Sequence, residues 1–456
     1  MSVAVGDNKF GLHRTSSGVS RKNKLFVMDN YEYKPSGIEW LGDVPRHWNV
    51  DRLRDVCILN SESLEPSTRG DLEFQYLDIG NVDSGGVISF DEILELTFDT
   101  APSRARRLTR KFDTIISSVR TNLQAVAFID FETKKLVCST GFFVCRPKYV
   151  SYLNPRFLYY FLLTEYSKGF FVSNSVGVSY PAIGDYKFGS VNLPIPPVEE
   201  QRVIAEYLDK ACDRLDRIIS IKQTQLENIS GFYKSRVNEI LSGSGGDSEK
   251  LDQWRSIRLK QTLSKVNSGV TPKGGSTSYV DEGVPLIRSQ NVNFEAVDLS
   301  DAVYITPETH QSMSNSKVNS GDVLLNITGA SLGRCAYVAH IIEANVNQHV
   351  CILRPFQFIT MKYLYYLILS ELVQSQIFSS FTGSGREGLS FRSIRSFRVK
   401  LPQKDFQNRI VNVVDQLAAK VAKTTELLER QINSLKAYRK SLVHECVTGK
   451  KQVYAE

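Results

Sequence analysis

The chain is a tandem duplication, and this repeat limits its fold more than any other feature of the sequence. Two stretches, 201–243 and 407–449, align without a gap and share nine identical residues in forty-three positions. Gln201 aligns with Gln407, and the offset of 206 residues holds throughout. Because a repeat of this kind marks one recurring structural unit, we expect two similar halves.

The segments that precede these stretches repeat at nearly the same spacing. "LYY" occurs at 158–160 and at 364–366, and "WNVDRL" at 48–53 corresponds to "WRSIRL" at 254–259. The offset drifts by a few residues between these anchors, which short loop insertions explain. Apolar and β-branched runs separated by turn residues predict a mixed α+β globule in each half, followed by a long helix.

Both repeated stretches place apolar residues at alternating steps of four and three, which is the spacing of a helix pair. The predicted contact positions of the two helices are Ile204, Leu208, Leu215, Gln225, Ile229, Ile410, Val414, Leu417, Gln431 and Leu435. A glutamine in such a seam fixes register at a cost in stability. The alternative, in which each helix packs only on its own globule, is less favoured because the seam is longer than one globule.

The short linker between the halves predicts the direction of the second helix. A helix of about forty residues rises ~60 Å, whereas the segment 242–250 spans at most ~30 Å. The second globule must then start near the far end of the first helix, so the second helix runs back antiparallel. Gly231 is a point at which the first helix can break or bend.

The predicted fold class is therefore α+β, with two similar α/β globules separated by a pair of long antiparallel helices in a pseudo-twofold duplication. The predicted segments are an N-terminal extension (1–30), a first globule (31–198), a central helix (199–243), a linker (244–253), a second globule (254–404), a C-terminal helix (405–449) and a tail (450–456).

Composition adds weaker constraints on the class of protein. No stretch approaches the ~20 apolar residues of a membrane span, and residues 1–30 lack the apolar middle of a signal peptide, so we expect a cytoplasmic protein. Seven cysteines without a Cys-x-x-Cys pair predict free thiols. A net charge of +7 permits a polyanionic partner without requiring one.

Polar segments between the predicted strands carry residues suited to DNA contact. Segment 102–111 contains five basic residues, which suit phosphates or guanine edges. Segments 117–124 and 326–333 occupy matching places in the halves but differ in sequence, as do 173–181 and 382–395. The candidate DNA-contacting residues are Arg104, Arg106, Arg107, Arg110, Lys111, Arg120, Asn122, Gln124, Lys273, Arg334, Arg386, Arg392 and Arg395. Solvated polar loops without a role in binding are the alternative.

Motifs of common enzyme classes are missing from the sequence. There is no glycine-rich phosphate loop before a Lys-Ser/Thr pair. The stretch "FTGSG" (381–385) imitates a methyltransferase motif, but it follows an aromatic helix and has no accompanying Asp/Asn-Pro-Pro-aromatic tetrad. Cys335, His340, His349 and Cys351 are residue types that bind zinc, although their spacing favours core packing. The sequence predicts a binding protein with no catalytic residue and no metal.

Three motifs carry a resemblance to a known family. They are "YKPSGIEWLGDVPRHW" (33–48), "LPIPPVEEQRVIAEYLD" (193–209) and "YRKSLVHECVTGK" (438–450). Together with the duplication they resemble the DNA specificity subunit of type I restriction-modification systems, over nearly everything after residue 30. The second half departs from the pattern, since its junction reads "LPQKDFQNR" and no "SGIEWLG" precedes Trp254.

The resemblance implies that each globule is a target recognition domain that reads one half of a split, asymmetric site in double-stranded DNA. The helices would set the unread gap. Two modification subunits, adenine methyltransferases that use S-adenosylmethionine, would assemble on the chain, and ATP- and Mg-dependent restriction/translocase subunits would join them for cleavage. Cofactors would then belong to the partners and none to this chain. A self-contained DNA methyltransferase and a coiled-coil scaffold without sequence preference are the alternatives.

Overall fold

The computed structural model of the chain describes residues 31–83, 86–132, 135–177, 180–243, 254–294, 296–340, 343–382 and 388–454. These residues divide into two units. The first unit contains residues up to Asp216 and from Leu435 onward, and the second contains Arg217–Ser434. Each long helix therefore contributes one part to each unit.

The first unit is built mainly from short strands. Its strands are β1 (Tyr33–Pro35), β2 (Asp43–Pro45), β3 (Asn49–Arg52), β4 (Cys57–Leu59), β5 (Glu73–Leu77), β6 (Leu94–Thr97), β7 (Ala105–Leu108), β8 (Thr114–Ser117), β9 (Val126–Phe128), β10 (Leu136–Ser139), β11 (Phe142–Pro147) and β12 (Asn192–Ile195). Its helices are α1 (Leu53–Val56), α2 (Pro155–Leu162), α3 (Glu165–Ser173), α4 (Asp185–Phe188) and the start of α5 (Val198–Ser242).

The second unit contains a similar set of elements. Its strands are β13 (Arg255–Arg258), β14 (Leu263–Ser268), β15 (Val284–Ile287), β16 (Val303–Ile305), β17 (Val323–Asn326), β18 (Cys335–Tyr337), β19 (Asn345–Val346), β20 (Val350–Pro355) and β21 (Arg398–Leu401). Its helices are α6 (Pro307–Ser312), α7 (Met361–Leu369), α8 (Glu371–Thr382), α9 (Phe391–Ser396) and most of α10 (Lys404–Val447).

The two units share one sheet topology, which confirms the predicted duplication and fold class. The order β4-β11-β8-β9 in the first unit matches β14-β20-β17-β18 in the second. The order β6-β5-β10 likewise matches β16-β15-β19, and in both sheets the last two strands pair in parallel. The first unit adds β7 at the edge of this sheet, whereas α6 follows β16 in the second.

The arginine-rich segment 102–111 was predicted as a loop, and this prediction is wrong in its centre. Ala105–Leu108 forms β7, which pairs antiparallel with β10. Ala105 is fully buried, while the three residues that follow it are only half-buried. The strand escaped prediction because its apolar positions are interrupted by long cationic side chains, whose stems pack on the sheet while their charges remain accessible.

A buried ion pair holds the same two strands together in each unit. Arg146 on β11 donates to both oxygens of Asp113 at 2.7 and 2.8 Å, and Arg354 on β20 does the same to Asp322 at the same distances. The hydrogen bonds that the guanidinium groups donate to these carboxylates raise the pKa of both arginines. Because both carboxylates are fully buried, loss of either arginine would leave an uncompensated charge in the core.

The first turn of α5 is tied to the globule by one glutamine side chain. The Oε1 atom of Gln201 accepts a hydrogen bond from the backbone N of Asn154 at 2.7 Å. Its Nε2 donates to the carbonyl oxygens of Tyr152 and Pro196, both at 2.8 Å. Gln201 is fully buried, so all three bonds form away from water.

The repeated glutamine makes the same three bonds in the second unit. Gln407 accepts from the backbone N of Thr360 at 2.9 Å and donates to the carbonyl oxygens of Phe358 and Pro402 at 3.1 and 3.0 Å. Asn154 and Thr360 are the N-cap residues of α2 and α7. The identity found in the sequence therefore reflects one structural requirement, the attachment of each long helix to the start of a core helix.

Two further identities of the repeat have structural roles. Asp209 accepts from Arg156 at 2.7 Å, and Asp415 accepts from Lys362 at 2.6 Å. A tyrosine four residues beyond each of these cations also donates to the carboxylate. At the other end of the helices, Gly243 and Gly449 adopt φ values of 77° and 74°. Glycine is the usual residue for this left-handed position after a helix.

The three family-like motifs meet in the first unit. The buried carboxylate of Glu200 accepts hydrogen bonds from Tyr31 Oη, from His47 Nε2 at 2.8 Å and from Trp48 Nε1 at 3.1 Å. The backbone of Gly449, just after α10, lies so close that an added Cβ would be 2.3 Å from Pro45. The N-terminal hairpin, the start of α5 and the end of α10 therefore form one packed cluster.

Within each unit the two long helices pack side by side and run in opposite directions. In the second unit Lys222 donates to Gln431 at 2.7 Å, while Val237 further along α5 shares a buried cluster with Val414. Residue numbers on α10 therefore fall as those on α5 rise. In the first unit Arg439 correspondingly pairs with Asp216 at 2.9 Å.

The predicted contact positions of the two helices are right in part and displaced by one residue in part. Five of the predicted positions are buried, namely Ile204, Leu208, Leu215, Ile410 and Val414. Three are half-buried, namely Ile229, Leu417 and Leu435. Gln225 and Gln431 are exposed, and the next residues, Leu226 and Ile432, face inward instead. The error is one residue in the same heptad position of both helices, so neither glutamine fixes the register by burial.

Gly231 does not interrupt α5, which is continuous from Val198 to Ser242. Position 231 is exposed, and an added Cβ would meet no atom within 4 Å. None of the helices in the described ranges is both long and apolar enough to cross a membrane.

Replacement of Gln201 by alanine should destabilise the first unit by about 2–4 kcal/mol, because it leaves one backbone N and two carbonyl groups without partners. Urea unfolding followed by circular dichroism measures the change. Gln225→Ala on the exposed face of the same helix is the matched control, with an expected change below about 0.5 kcal/mol. Equal effects of the two substitutions would contradict the role given to Gln201.

Replacement of Gly231 by alanine should stabilise the chain by about 0.5–1 kcal/mol, since the helix is regular and open at this position and alanine lowers the entropy of the unfolded chain. The urea midpoint should rise without a change in slope. A lower midpoint would show that α5 needs the freedom of glycine at this point.

Candidate nucleic-acid interface

Matching loops meet at the same sheet edge in each unit. The loop 117–124 follows β8, and 326–333 follows β17 at the equivalent strand end. In the first unit the carbonyl oxygen of Ser118, in loop 117–124, accepts a hydrogen bond from Ile183 N at 3.0 Å. The corresponding bond in the second unit joins Leu389 N to Ile327 O at 2.8 Å. The structure thus brings segments that differ in sequence between the halves to equivalent places.

The loop 117–124 has a backbone that is held in an uncommon conformation. Arg120 and Gln124 both have φ of 50°, which is unusual for residues with a side chain. The Nε2 of Gln124 donates to the carbonyl oxygens of Leu162 and Thr164 at 3.0 and 3.2 Å. These bonds fix the loop to the core helices, and strained backbone that is fixed in this way is common at binding sites.

A cleft of about 810 Å³ lies beside this loop. Its rim includes Arg120, whose guanidinium lies 4.7 Å from the ring centre of the exposed Tyr180. Arg104 lines another part of the cleft and pairs with Asp78. A surface that offers cationic donors, a carboxylate and an aromatic ring within one concave site can contact phosphates and base edges.

The strand end at the base of the cleft carries a polar atom without a partner. Ser117 is 3% exposed, lines the cleft, and its Oγ has no hydrogen-bond partner among the described residues. Asn326 ends the equivalent strand β17 and is fully buried, and its Oδ1 likewise lacks a described partner. Buried polar groups are normally satisfied, so the Ser117 hydroxyl in the lining of the cleft is suited to an incoming ligand group.

A turn next to these strand ends differs in charge between the units. Asp78 begins a short turn that is closed by the side chain of Asn81, and Arg288 begins the same turn with Asn291. The first unit therefore presents an acid where the second presents a base. Two sites with the same framework and opposite charge favour different base edges.

Several of the predicted DNA-contacting residues instead make hydrogen bonds within the first unit. Arg107 is half-buried and donates to Asn60 Oδ1 and to the carbonyl oxygen of Phe142, and its burial lowers the pKa of the guanidinium. Gln124 fixes the loop, as described above. These contacts hold both side chains within the unit and direct them away from a ligand in the cleft.

The other basic residues near β7 lie outside the lining of the cleft. The guanidinium of Arg106 stacks on Phe98, Arg110 pairs with Glu62 at 2.6 Å, and Lys111 pairs with Glu132 at 2.9 Å. Asn122, in contrast, is exposed on the loop itself. Of the predicted residues in the first unit, Arg104, Arg120 and Asn122 are therefore the best placed to reach a ligand.

The predicted residues of the second unit are more scattered. Lys273 and Arg392 are exposed, and Arg334 is half-buried at the end of the loop 326–333. Arg395 donates to the carbonyl oxygen of Val266 at 3.1 Å. Arg386 lies outside the described residues, as does most of "FTGSG".

The possible zinc ligands do not form one site. Cys335 and Cys351 are buried in core strands, and burial raises the pKa of the Cys351 thiol to about 12. His340 is exposed, while His349 bonds to Thr328. Over the described ranges, no group of three His, Cys, Asp or Glu residues is arranged to hold a metal ion.

Sequence reasoning missed Ser117 as a ligand-facing group and Tyr180 as part of the cleft. Tyr180 lies sixty residues after Arg120 in the chain, and only the folded structure brings the two side chains together. Its place directly before Pro181 in a polar loop was the only available signal, because exposed aromatic residues in such loops favour binding.

Arg107→Ala should lower the stability of the first unit by about 2–3 kcal/mol, since the Oδ1 of Asn60 and the carbonyl oxygen of Phe142 each lose the bond from the guanidinium. Arg120→Ala should change it by less than about 1 kcal/mol, because only an exposed cation–π contact is lost. Urea unfolding of both variants measures the difference. Similar losses would show that Arg120 is also a structural residue.

Comparisons of this chain with family models and with known proteins point to the same family. The model of the type I restriction modification DNA specificity domain matches twice, at residues 45–230 and 252–437. The type I restriction enzyme EcoBI specificity subunit of Escherichia coli is 25% identical over 305 residues, which are 62% of this chain and 61% of the relative. The EcoKI specificity subunit of Escherichia coli strain K12 is 25% identical over 321 residues, 65% of each chain. The chain thus spans just under two thirds of the length of these relatives.

Solved structures share the fold. A chain from a study of the assembly and conformational transition of the type I R-M system aligns with a TM-score of 0.74 and 22% identity, covering 90% of this chain and 99% of that chain. The HsdS subunit from Thermoanaerobacter tengcongensis aligns with a TM-score of 0.53 and 22% identity, over 90% and 98% of the two chains. With two matches of the family model that together cover most of its length, this chain belongs to the family of type I restriction modification DNA specificity domains.

Proposed function

We propose that the chain is the sequence-specific DNA-binding specificity subunit of a type I restriction-modification complex. Residues 31–198 and 254–404 act as target recognition domains, each of which reads one half of a two-part, asymmetric site. The helices 199–243 and 405–449 set the spacing of the half-sites. The chain itself is not catalytic.

The observation that carries this proposal is the repeated framework with unlike loops. The Gln201 and Gln407 attachments and the buried Arg–Asp pairs are the same in both units. The loops 117–124 and 326–333, at one edge of that framework, differ in sequence and charge. A protein that must read two different base sequences with one scaffold requires this combination.

The relatives are subunits of type I restriction enzymes, and this supports a role in a larger complex. In the proposed complex two modification subunits supply S-adenosylmethionine-dependent methylation of adenine, and restriction/translocase subunits supply ATP- and Mg-dependent cleavage. Arg104, Arg120 and Asn122 contact DNA in the first unit, and Lys273, Arg334 and Arg392 contact it in the second. Phosphate contacts among them would make binding strongly salt-dependent.

The double substitution Arg120→Ala and Asn122→Ala should relax base selection in one half-site only. Each lost base contact should reduce discrimination at its position by about 5- to 100-fold, while the other half-site and the gap between them stay unchanged. Sequencing of methylated adenines in the host genome, with wild-type or variant chain, measures both halves of the motif at once.

Arg69→Ala is the matched control, because Arg69 is exposed and pairs only locally with Asp71 among the described contacts. Its motif should equal that of the wild type. A wild-type methylome without a two-part motif would refute the proposal, and so would methyl transfer to DNA by the isolated chain.

A further inference from the structure

A chain of four polar side chains crosses the surface of the second unit. The Oγ1 of Thr271 donates to the Oε1 of Gln348 at 2.5 Å. The Nε2 of Gln348 bonds to the Nε2 of His349 at 3.0 Å, and the Nδ1 of His349 bonds to Thr328 Oγ1 at 2.7 Å. Gln348 is exposed, yet both ends of its amide are held by neighbours. An exposed side chain with this much support has a fixed direction.

The backbone beneath Gln348 is also fixed. Asn347 is 8% exposed, its Oδ1 accepts from His349 N at 3.0 Å, and its N donates to the carbonyl oxygen of Ile287 at 3.0 Å. The segment that carries Thr271 packs directly on this turn, because a Cβ at Gly269 would lie 1.5 Å from the carbonyl oxygen of Val346. The amide therefore stands on a rigid support.

This place adjoins the loop that we assign to DNA contact. Thr328, the last member of the chain, lies in the loop 326–333, and Ile327 N bonds to the carbonyl oxygen of His349 at 3.0 Å. The unpartnered Oδ1 of Asn326 is on the same strand end. Lys273, two residues after Thr271, is exposed and supplies a positive charge for phosphate.

The bonding of the amide defines what it can recognise. A glutamine amide has two N–H donors and two acceptor sites on oxygen. Thr271 uses one acceptor site, and the bond to His349, with the amide as donor, uses one N–H. One donor and one acceptor remain, and these are the two groups that recognition of N7 and the N6 amino group of adenine in the major groove requires.

We infer that Gln348 reads an adenine in the half-site of the second unit, with Thr271 and His349 as positioning residues. This inference rests on the proposed function and assigns a base to a residue outside the predicted set. The amide is already oriented in the free chain, so little side-chain entropy is lost on binding. If Gln348 served only to join the two loops, it would need the bond to Thr271 but not the second N–H of its amide.

Two substitutions separate these roles. Gln348→Ala should reduce the preference for adenine at one position of one half-site by about 5- to 100-fold. Gln348→Glu keeps an acceptor for Thr271 but loses the N–H donor, so adenine should lose its advantage and cytosine, whose N4 donates to carboxylates, should gain. Thr271→Val should give a smaller loss at the same position, because the amide then loses one of its two supports.

The test is the methylated motif of the host genome with the full-length wild-type or variant chain. Gln416→Ala, an exposed glutamine on α10, is the matched control and should leave the motif unchanged. The Arg120→Ala, Asn122→Ala variant identifies the half-site of the first unit, so the Gln348 effect must appear in the other half. Thermal melting of each purified variant accompanies the methylome.

The possible outcomes separate the proposed function of the chain from the role of Gln348. If the wild type shows no two-part motif, the proposed function fails. If the wild type shows one and both Gln348 variants keep it unchanged, the inference is overturned and the proposed function stands. If both variants melt at lower temperature and lose methylation at all sites, Gln348 only joins the loops, and the inference is again overturned.

Discussion

One buried glutamine in the first turn of each long helix controls how that helix leaves its unit. Gln201 satisfies two carbonyl groups and the N-cap backbone of α2, and Gln407 does the same at α7. A shift of either helix along its axis would break all three bonds and leave buried polar groups unpaired. The direction in which each long helix leaves its own unit follows from this attachment.

Much of this fold can be predicted from the sequence, because the duplication compares the chain with itself. The two long helices begin at Val198 and Lys404, each one residue before its predicted start. Their antiparallel course followed from the short linker alone. The phase of their contact could not be fixed in the same way, since steps of three and four fit two registers that differ by one residue. The predicted register is right at Ile204, Leu208, Ile410 and Val414, whereas at Gln225 and Gln431 the inward residues are Leu226 and Ile432.

The candidate site was less predictable, because its geometry depends on contacts between distant parts of the chain. The positive charge of segment 102–111 indicated DNA, but Arg107 is directed to Asn60 and Phe142, which are remote in sequence. The strand-end loops were located correctly since they follow clear apolar runs. The side chains that face the cleft depend on strand pairing, and no spacing rule places Tyr180 over Arg120.

The structure also shows why such a scaffold tolerates changes of recognition. The groups that stabilise each unit, the glutamine attachment and the Arg–Asp pair, are buried and repeated, whereas Asp78 and Arg288 occupy one turn with opposite charges. Replacing an acid by a base in that turn leaves its closing bond intact, because the bond runs from the backbone N of the first residue to the asparagine side chain. Carboxylates accept from cytosine and guanidinium groups donate to guanine. Replacing Asp78 by an arginine would remove the bond from Ile79 N and the pair with Arg104, but it would leave the buried Gln201 bonds that hold the unit together in place.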